Sequence, residues 1–183
     1  MKKVIITATF RKVSVMATEN IIVKTTTEGV DFKKVEYILK QSGLSEAPAE
    51  VHEKAFTNSA VKVFLYDGKE LIGVARALSD MVSQGAIYNV ALLDEYQGQG
   101  LGRLMIEKLI EQMPGQNVIL YTHPQTVWMY EKFGFRRAKS AMEYFPIEDS
   151  HKEWMENEGF FLPEGYRFVD EYKREDMKGP KWK

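Results

Sequence analysis

The sequence predicts one α/β (α+β) domain, a sheet flanked by helices on both faces. Three observations carry this. The length, 183 residues and 21.1 kDa, corresponds to about one domain on the ~150-residue prior. Short runs rich in β-branched and apolar residues recur along the chain, and segments between them place apolar residues three and four apart. The composition, with 44% hydrophobic, 12% aromatic and 28% charged residues, is that of an ordinary soluble globular protein and excludes a fibre or a disordered chain.

In chain order, residues 21–26 form a first strand, ended by Glu28 and Gly29. Asp31 caps a helix carrying Val35, Ile38 and Leu39, which Gly43 stops. A second helix covers 48–57, with Val51 and Phe56 on its inner side. Runs 61–66 and 71–78 flank the turn Asp67-Gly68-Lys69 and read as a hairpin. Residues 86–93 are almost continuously apolar, as in a central strand covered on both faces. A glycine loop follows, then a helix with Leu101, Met105, Leu109 and Met113 four apart, ended by Pro114-Gly115. A buried strand over 118–121 leads to Pro124 and a helix through Val127, Trp128, Tyr130 and Phe133, closed by Gly134. Residues 135–145 read as further extended chain. From 146 to 183 the composition turns charged and aromatic, with a helix expected over about 149–158 and either packing on the domain or a partner subunit or a lid over a substrate pocket.

Several function classes drop out on composition. Twenty-five basic against 26 acidic residues leave a net charge of −1, which supplies no general attraction to a nucleic-acid backbone. Without cysteine there is no disulfide, thiol nucleophile or thiolate metal site, and His52, His123 and His151 fit no metal-ligand spacing, so no metal is expected. The N-terminal run from Val4 to Phe10 imitates a secretory signal until Arg11 and Lys12 interrupt it; residues 1–20 read as an arm or short strand. No run approaches the ~18 apolar residues that span a bilayer, so no membrane partner and a cytoplasmic location are expected.

The chemistry points to the loop between strand and helix. Gly98, Gly100 and Gly102 leave backbone amides unobstructed where a helix begins, and a helix N-terminus presents unpaired N–H groups and the positive end of the peptide dipole. A phosphate or pyrophosphate is the natural guest, and Arg103 adds a charge. The loop lacks the Gly-Lys-Ser/Thr of an ATP-binding P-loop, because Arg103 and Leu104 follow Gly102. It also lacks the third glycine of the dinucleotide fingerprint, because position 103 is arginine.

Gln97-Gly98-Gln99-Gly100-Leu101-Gly102 resembles the signature loop of the GNAT superfamily of acyl-CoA-dependent N-acyltransferases: Gln or Arg, any two residues, Gly, any residue, Gly or Ala. A second element, Tyr130-Glu131-Lys132-Phe133-Gly134-Phe135, resembles that family's Tyr-Glu-Lys-x-Gly-Phe motif. The element order over 21–145 is similar to the family core, with 1–20 and 146–183 outside it. The resemblance implies a mixed, mostly antiparallel sheet splayed between its two central strands. It implies acetyl-CoA as co-substrate, with its pyrophosphate on Gln97, Gly98, Gln99, Gly100, Leu101, Gly102 and Arg103 and its pantetheine arm along Val90, Ala91 and Leu92.

The implied reaction is direct attack of a primary amine, small-molecule or peptide, on the thioester within a ternary complex. The resemblance makes Tyr130 the general acid toward the departing thiolate, as a phenol near pKa ~10 stays protonated at neutral pH. An N–H of Val90 or Leu92 would serve the oxyanion. The base is open. Many relatives place a carboxylate on the central strand, whereas here the polar residue is Asn89; Asp80, His123, Glu95 and a water chain remain as candidates. Arg76 and Tyr88 are candidates for the acceptor side. The alternative is a non-catalytic acyl-CoA-binding or regulatory module of the same fold, and a homodimer is the base-rate assembly.

Overall fold

A computed structural model describes residues 20–138, 141, 143 and 150–162. The arm expected over 1–20 therefore lies outside the described residues but for Asn20, as does most of the 146–183 extension. The chain divides into two compact units between Tyr121 and Thr122.

The first unit contains β1 (Ile21–Lys24), α1 (Phe32–Gln41), α2 (Ala49–Asn58), β2 (Val61–Asp67), β3 (Glu70–Ser79), β4 (Gln84–Leu92), α3 (Leu101–Glu111) and β5 (Asn117–Ile119). The five strands form one sheet in sequential order, antiparallel throughout except for the parallel β4–β5 pair. This is the mixed, mostly antiparallel sheet expected. The parallel pair arises because α3 carries the chain back to the starting end of β4.

Local chemistry sets the element ends. The Asp31 carboxylate accepts the Lys33 N–H at 2.9 Å and caps α1, and Gly43 at φ +65° turns the chain out of it. Glycine positions also identify the sheet faces. A Cβ at Gly73 would meet Met105 of α3, and one at Gly85 would meet Met113 just beyond α3. The α3 helix therefore covers the face that carries these glycines, with Leu101, Met105, Ile106 and Leu109 buried. The opposite face takes α1 and α2 through a ring cluster, Phe56 to Phe64 at 5.2 Å and Phe32 to both at 6.2 and 6.3 Å. Full burial of each such side chain contributes about 1.5–3 kcal/mol.

Two expectations change on inspection. Val51 is 49% exposed, and the inner face of α2 is His52, Phe56 and, at its C-cap, Ser59. These positions are four and three apart, so the helical stripe passes through a histidine rather than the neighbouring valine. The strand expected to be buried over 118–121 is shorter, Asn117–Ile119, and lies at the sheet edge with Ile119 66% exposed, since only three residues of β4 pair with it.

The second unit contains a short 3-10 turn (Pro124–Thr126), α4 (Val127–Lys132) and α5 (Ser150–Asn157). The helix expected over 149–158 matches α5. Residues 135–138 carry no strand, and most of 139–145 lies outside the described residues.

Candidate active site

The glycine loop is fastened to the end of β4 by its own side chains. The Gln97 amide donates to the Leu92 carbonyl at 3.2 Å and to the Asp94 carboxylate at 2.8 Å, and Gln99 donates to the Glu95 carbonyl at 3.0 Å. Both glutamines thus hold the loop's shape. Gly98 and Gly100 sit at φ +73° and +84°, a region costly for any residue with a Cβ, while Gly102 lies within the first turn of α3. Gly100 is the N-cap of α3 and no side chain caps this helix. The first ladder bond is Leu104 N–H to Gly100, so the N–H groups of Leu101, Gly102 and Arg103 precede the ladder. Arg103 itself donates to Glu107 at 2.7 Å along the helix. The loop therefore offers an anion mainly backbone donors and the positive helix end.

The strand feeding that loop parts from its neighbour. Parallel pairing of β4 with β5 stops at Ala86 and Ile119, and beyond it 87–92 has no strand partner on that edge among the described residues. Two residues further along each strand, the rings of Tyr88 and Tyr121 meet edge to face at 6.0 Å. Val90, Ala91 and Leu92 lie on the open stretch.

On the other edge, the β3 register steps from Val74↔Ala91 to Arg76↔Tyr88, so Asn89 and Val90 together oppose Ala75. This is a β-bulge, and Asn89 takes φ +52° within it. Regular alternation would send Tyr88 and Asn89 to opposite faces, yet both reach Arg76. The guanidinium Nε donates to Asn89 Oδ1 at 2.6 Å, its carbon stands 5.1 Å from the Tyr88 ring centre, and Nη1 donates to Ser59 Oγ at 3.3 Å. Burial pushes the Arg76 pKa down, but arginine keeps its charge at any working pH.

The candidate bases have other partners. The Asp80 carboxylate accepts the N–H groups of Gln84, Ser83 and Val82 at 3.0, 2.8 and 2.8 Å in the β3–β4 turn, and these hold its pKa far below the usual carboxylate range. Such an acid is a weak base. In the second unit, His123 Nδ1 accepts the Gln125 N–H at 3.2 Å, while Nε2 lies 3.1 Å from Glu158 and the ring packs on Phe160. Glu95 lies exposed in a 3-10 turn, Asp94–Tyr96.

Tyr130 is buried on α4, and burial raises its pKa, partly offset by a hydrogen bond with Thr122. Its motif also has a structural reading, of which the sequence showed the closing glycine but not the bonds and ring contact around it. Phe135 N–H donates to the Tyr130 carbonyl and Gly134 N–H to the Glu131 carbonyl, at 3.1 Å each, with Gly134 at φ +93° and the Phe135 ring 6.0 Å from that of Tyr130. This is a Schellman cap with its hydrophobic contact. The glycine just past a helix was the available signal. His52 was also missed: it is 4% exposed, and its Nε2 has no hydrogen-bond partner among the described residues.

Comparison with known proteins bears on the fold and the family. A family model, the acetyltransferase (GNAT) family, matches residues 31–135. Over 70 residues the chain is 41% identical to GCN5-related N-acetyltransferase 2, chloroplastic, of Arabidopsis thaliana, covering 37% of this chain and 27% of that protein. Over 115 residues it is 29% identical to the uncharacterized N-acetyltransferase ycf52 of Pyropia yezoensis, covering 59% and 66%. The chain thus spans about a quarter of the first relative and just under two thirds of the second. A protein of unknown function from meticillin-resistant Staphylococcus aureus, described as a probable acetyltransferase, superposes with a TM-score of 0.59 at 27% identity, over 70% of this chain and 100% of that one. A GNAT family acetyltransferase from Elizabethkingia anophelis with acetyl-CoA bound has the same fold, with a TM-score of 0.52 at 20% identity over 66% of this chain and 79% of that one. With 31–135 matched, the chain belongs to the GNAT acetyltransferase family.

Proposed function

We propose that this protein transfers an acetyl group from acetyl-CoA to a primary amine. The observation that carries the reading is the uncapped N-terminus of α3, set by two positive-φ glycines at the end of a strand whose edge parts from β5. Acetyl-CoA, when bound, supplies a thioester that an unprotonated amine attacks directly. In this reading the loop 97–103 takes the pyrophosphate on its backbone amides, apart from that of Gln97, which donates to the Asp94 carbonyl, and the open edge at Val90, Ala91 and Leu92 pairs with the pantetheine amides. The bulge leaves Val90 outside the β3 register, which favours its N–H as the oxyanion donor.

Tyr130 is the proposed acid, and its raised pKa keeps it protonated across the working range. For the amine proton, a water relay to solvent is favoured over the side chains. Asn89 cannot accept a proton, the Asp80 carboxylate is held by turn amides, and His123 Nδ1 already accepts a bond. We place the reaction in the cytoplasm, against the chloroplastic location in the name of the Arabidopsis thaliana relative. A homodimer is proposed from the frequency of symmetric oligomers.

The amide of Asn89, accepting from Arg76 where a strand carboxylate would serve as base, favours a second reading as a non-catalytic acyl-CoA-binding module. Measuring CoA release over an amine panel separates the two. An enzyme releases CoA with at least one amine, and Tyr130→Phe lowers turnover by about 10²-fold while acetyl-CoA affinity holds. Binding without release for any amine supports the module, and unchanged turnover in the variant removes Tyr130 from the mechanism.

A further inference from the structure

Arg76 is a half-buried cation that the described residues leave without a counter-charge. Its partners are neutral: the Asn89 amide oxygen, the hydroxyl of Ser59 and the face of Tyr88. None of the ion pairs among the described residues includes it. Its cross-strand neighbour on β2 is Lys62, a second cation, which adds to the positive potential of this face. Holding a charge out of water without an opposite charge is unfavourable, and a chain needing only packing here would do better with an apolar side chain.

The cation is also oriented. Nε is committed to Asn89, Nη1 gives one N–H to Ser59, and the guanidinium carbon stands over the Tyr88 ring, while Nη2 has no partner among the described residues. Ser59 is 2% exposed and donates its own proton to the Ala55 carbonyl at 2.8 Å, so its oxygen is available to Arg76. The bulge at Asn89 is what lets two consecutive β4 residues grip one guanidinium. An aspartate at 89 would hold the same geometry and cancel the charge; asparagine keeps the grip and leaves the charge uncompensated. A fixed guanidinium with an open edge is a receptor for a carboxylate or phosphate.

Its place in the fold says which ligand brings that anion. Arg76 lies on the α1/α2 face, opposite the one covered by α3, as its bond to Ser59 requires. Its stacking partner Tyr88 touches Tyr121 at the mouth where β4 and β5 part. The acceptor amine must approach that opening to reach the thioester. We propose that the acceptor is a small amine carrying a second, anionic group, and that Arg76 binds this anion as the specificity-determining residue. The inference rests on the acetyl-transfer reading above.

The test uses the full chain, acetyl-CoA and matched acceptors of two to five carbons: ω-amino carboxylates, their neutral amides and aminoalkyl phosphates. The wild type should favour an anionic member over the matched amide by at least about 30-fold in kcat/KM, carried by KM. Which arm wins distinguishes carboxylate from phosphate. Arg76→Gln should bring that ratio to within about threefold of unity while acetyl-CoA still raises Tm as in the wild type. Arg76→Lys should keep part of the preference, and Asn89→Asp should reduce it with the arginine still present. Equal rates for amide and anion in the wild type, or an unchanged ratio in both Arg76→Gln and Asn89→Asp, overturn the proposal. If acetyl-CoA raises Tm and neutral amines are acetylated without preference, this inference alone fails. If no amine is turned over, the acetyl-transfer reading fails with it.

Discussion

At position 89 the chain has an asparagine in a conformation that few residues with a Cβ tolerate, and asparagine is among those few. That tolerance was a readable sign of irregular strand geometry. The bulge itself was not readable, because it depends on how β4 sits against β3. His52 makes the same point about burial: hydrophobicity selects Val51, while the helical stripe runs through His52. Burial drives the His52 pKa below its ordinary value, against smaller opposing pulls from the Ala47 backbone and Glu36, while the Arg76 charge adds to the lowering. The folded chain then binds fewer protons at this site than the unfolded one at pH values from about 6.5 down to the lowered folded value. Stability should therefore fall as pH drops through that interval and level off below it. Urea midpoints from pH 7.5 to 5 should decline less in His52→Gln than in the wild type, and superimposable declines would contradict the assignment.

Among the elements, those closed by local chemistry were the most legible. Asp31 and Gly43 bound α1, Asp67 and Gly68 turn the β2–β3 hairpin, and apolar residues four apart mark α3, because each signal acts within a few residues. The fifth strand was not legible as an edge, since its apolar letters do not reveal that only three residues find a partner. The glycine loop was legible as an open turn into the start of a helix, but the use of Gln97 and Gln99 as braces was not. The Tyr-Glu-Lys-x-Gly-Phe segment carries two readings, and the Schellman cap accounts for its glycine and its final aromatic without any chemistry. Gly134→Ala should therefore cost about 1–3 kcal/mol in stability, as expected for a residue with a Cβ at φ +93°. An unchanged denaturation midpoint would remove the cap from the account.

For the whole molecule, the family match at 31–135 crosses the division between the two compact units. The first unit holds the glycine loop, the open strand edge and the oriented Arg76; the second holds Tyr130 and His123. The fold and family were legible because motif spacing and element order are properties of the chain alone. The acceptor side depends on cross-strand register, which spacing does not encode.

The central claim is that acetyl-CoA binds at the head of α3, and thermal unfolding with acetyl-CoA, CoA or ATP tests it most directly. At a ligand concentration a hundredfold above Kd, stabilisation should reach about 2.7 kcal/mol, a Tm rise of several degrees for a chain of this size. Acetyl-CoA and CoA should produce the rise and ATP should not. Gly100→Val, which sets a β-branched residue at φ +84°, should unfold cooperatively but lose the shift. No rise at millimolar acetyl-CoA, or an equal rise in Gly100→Val, would contradict the account.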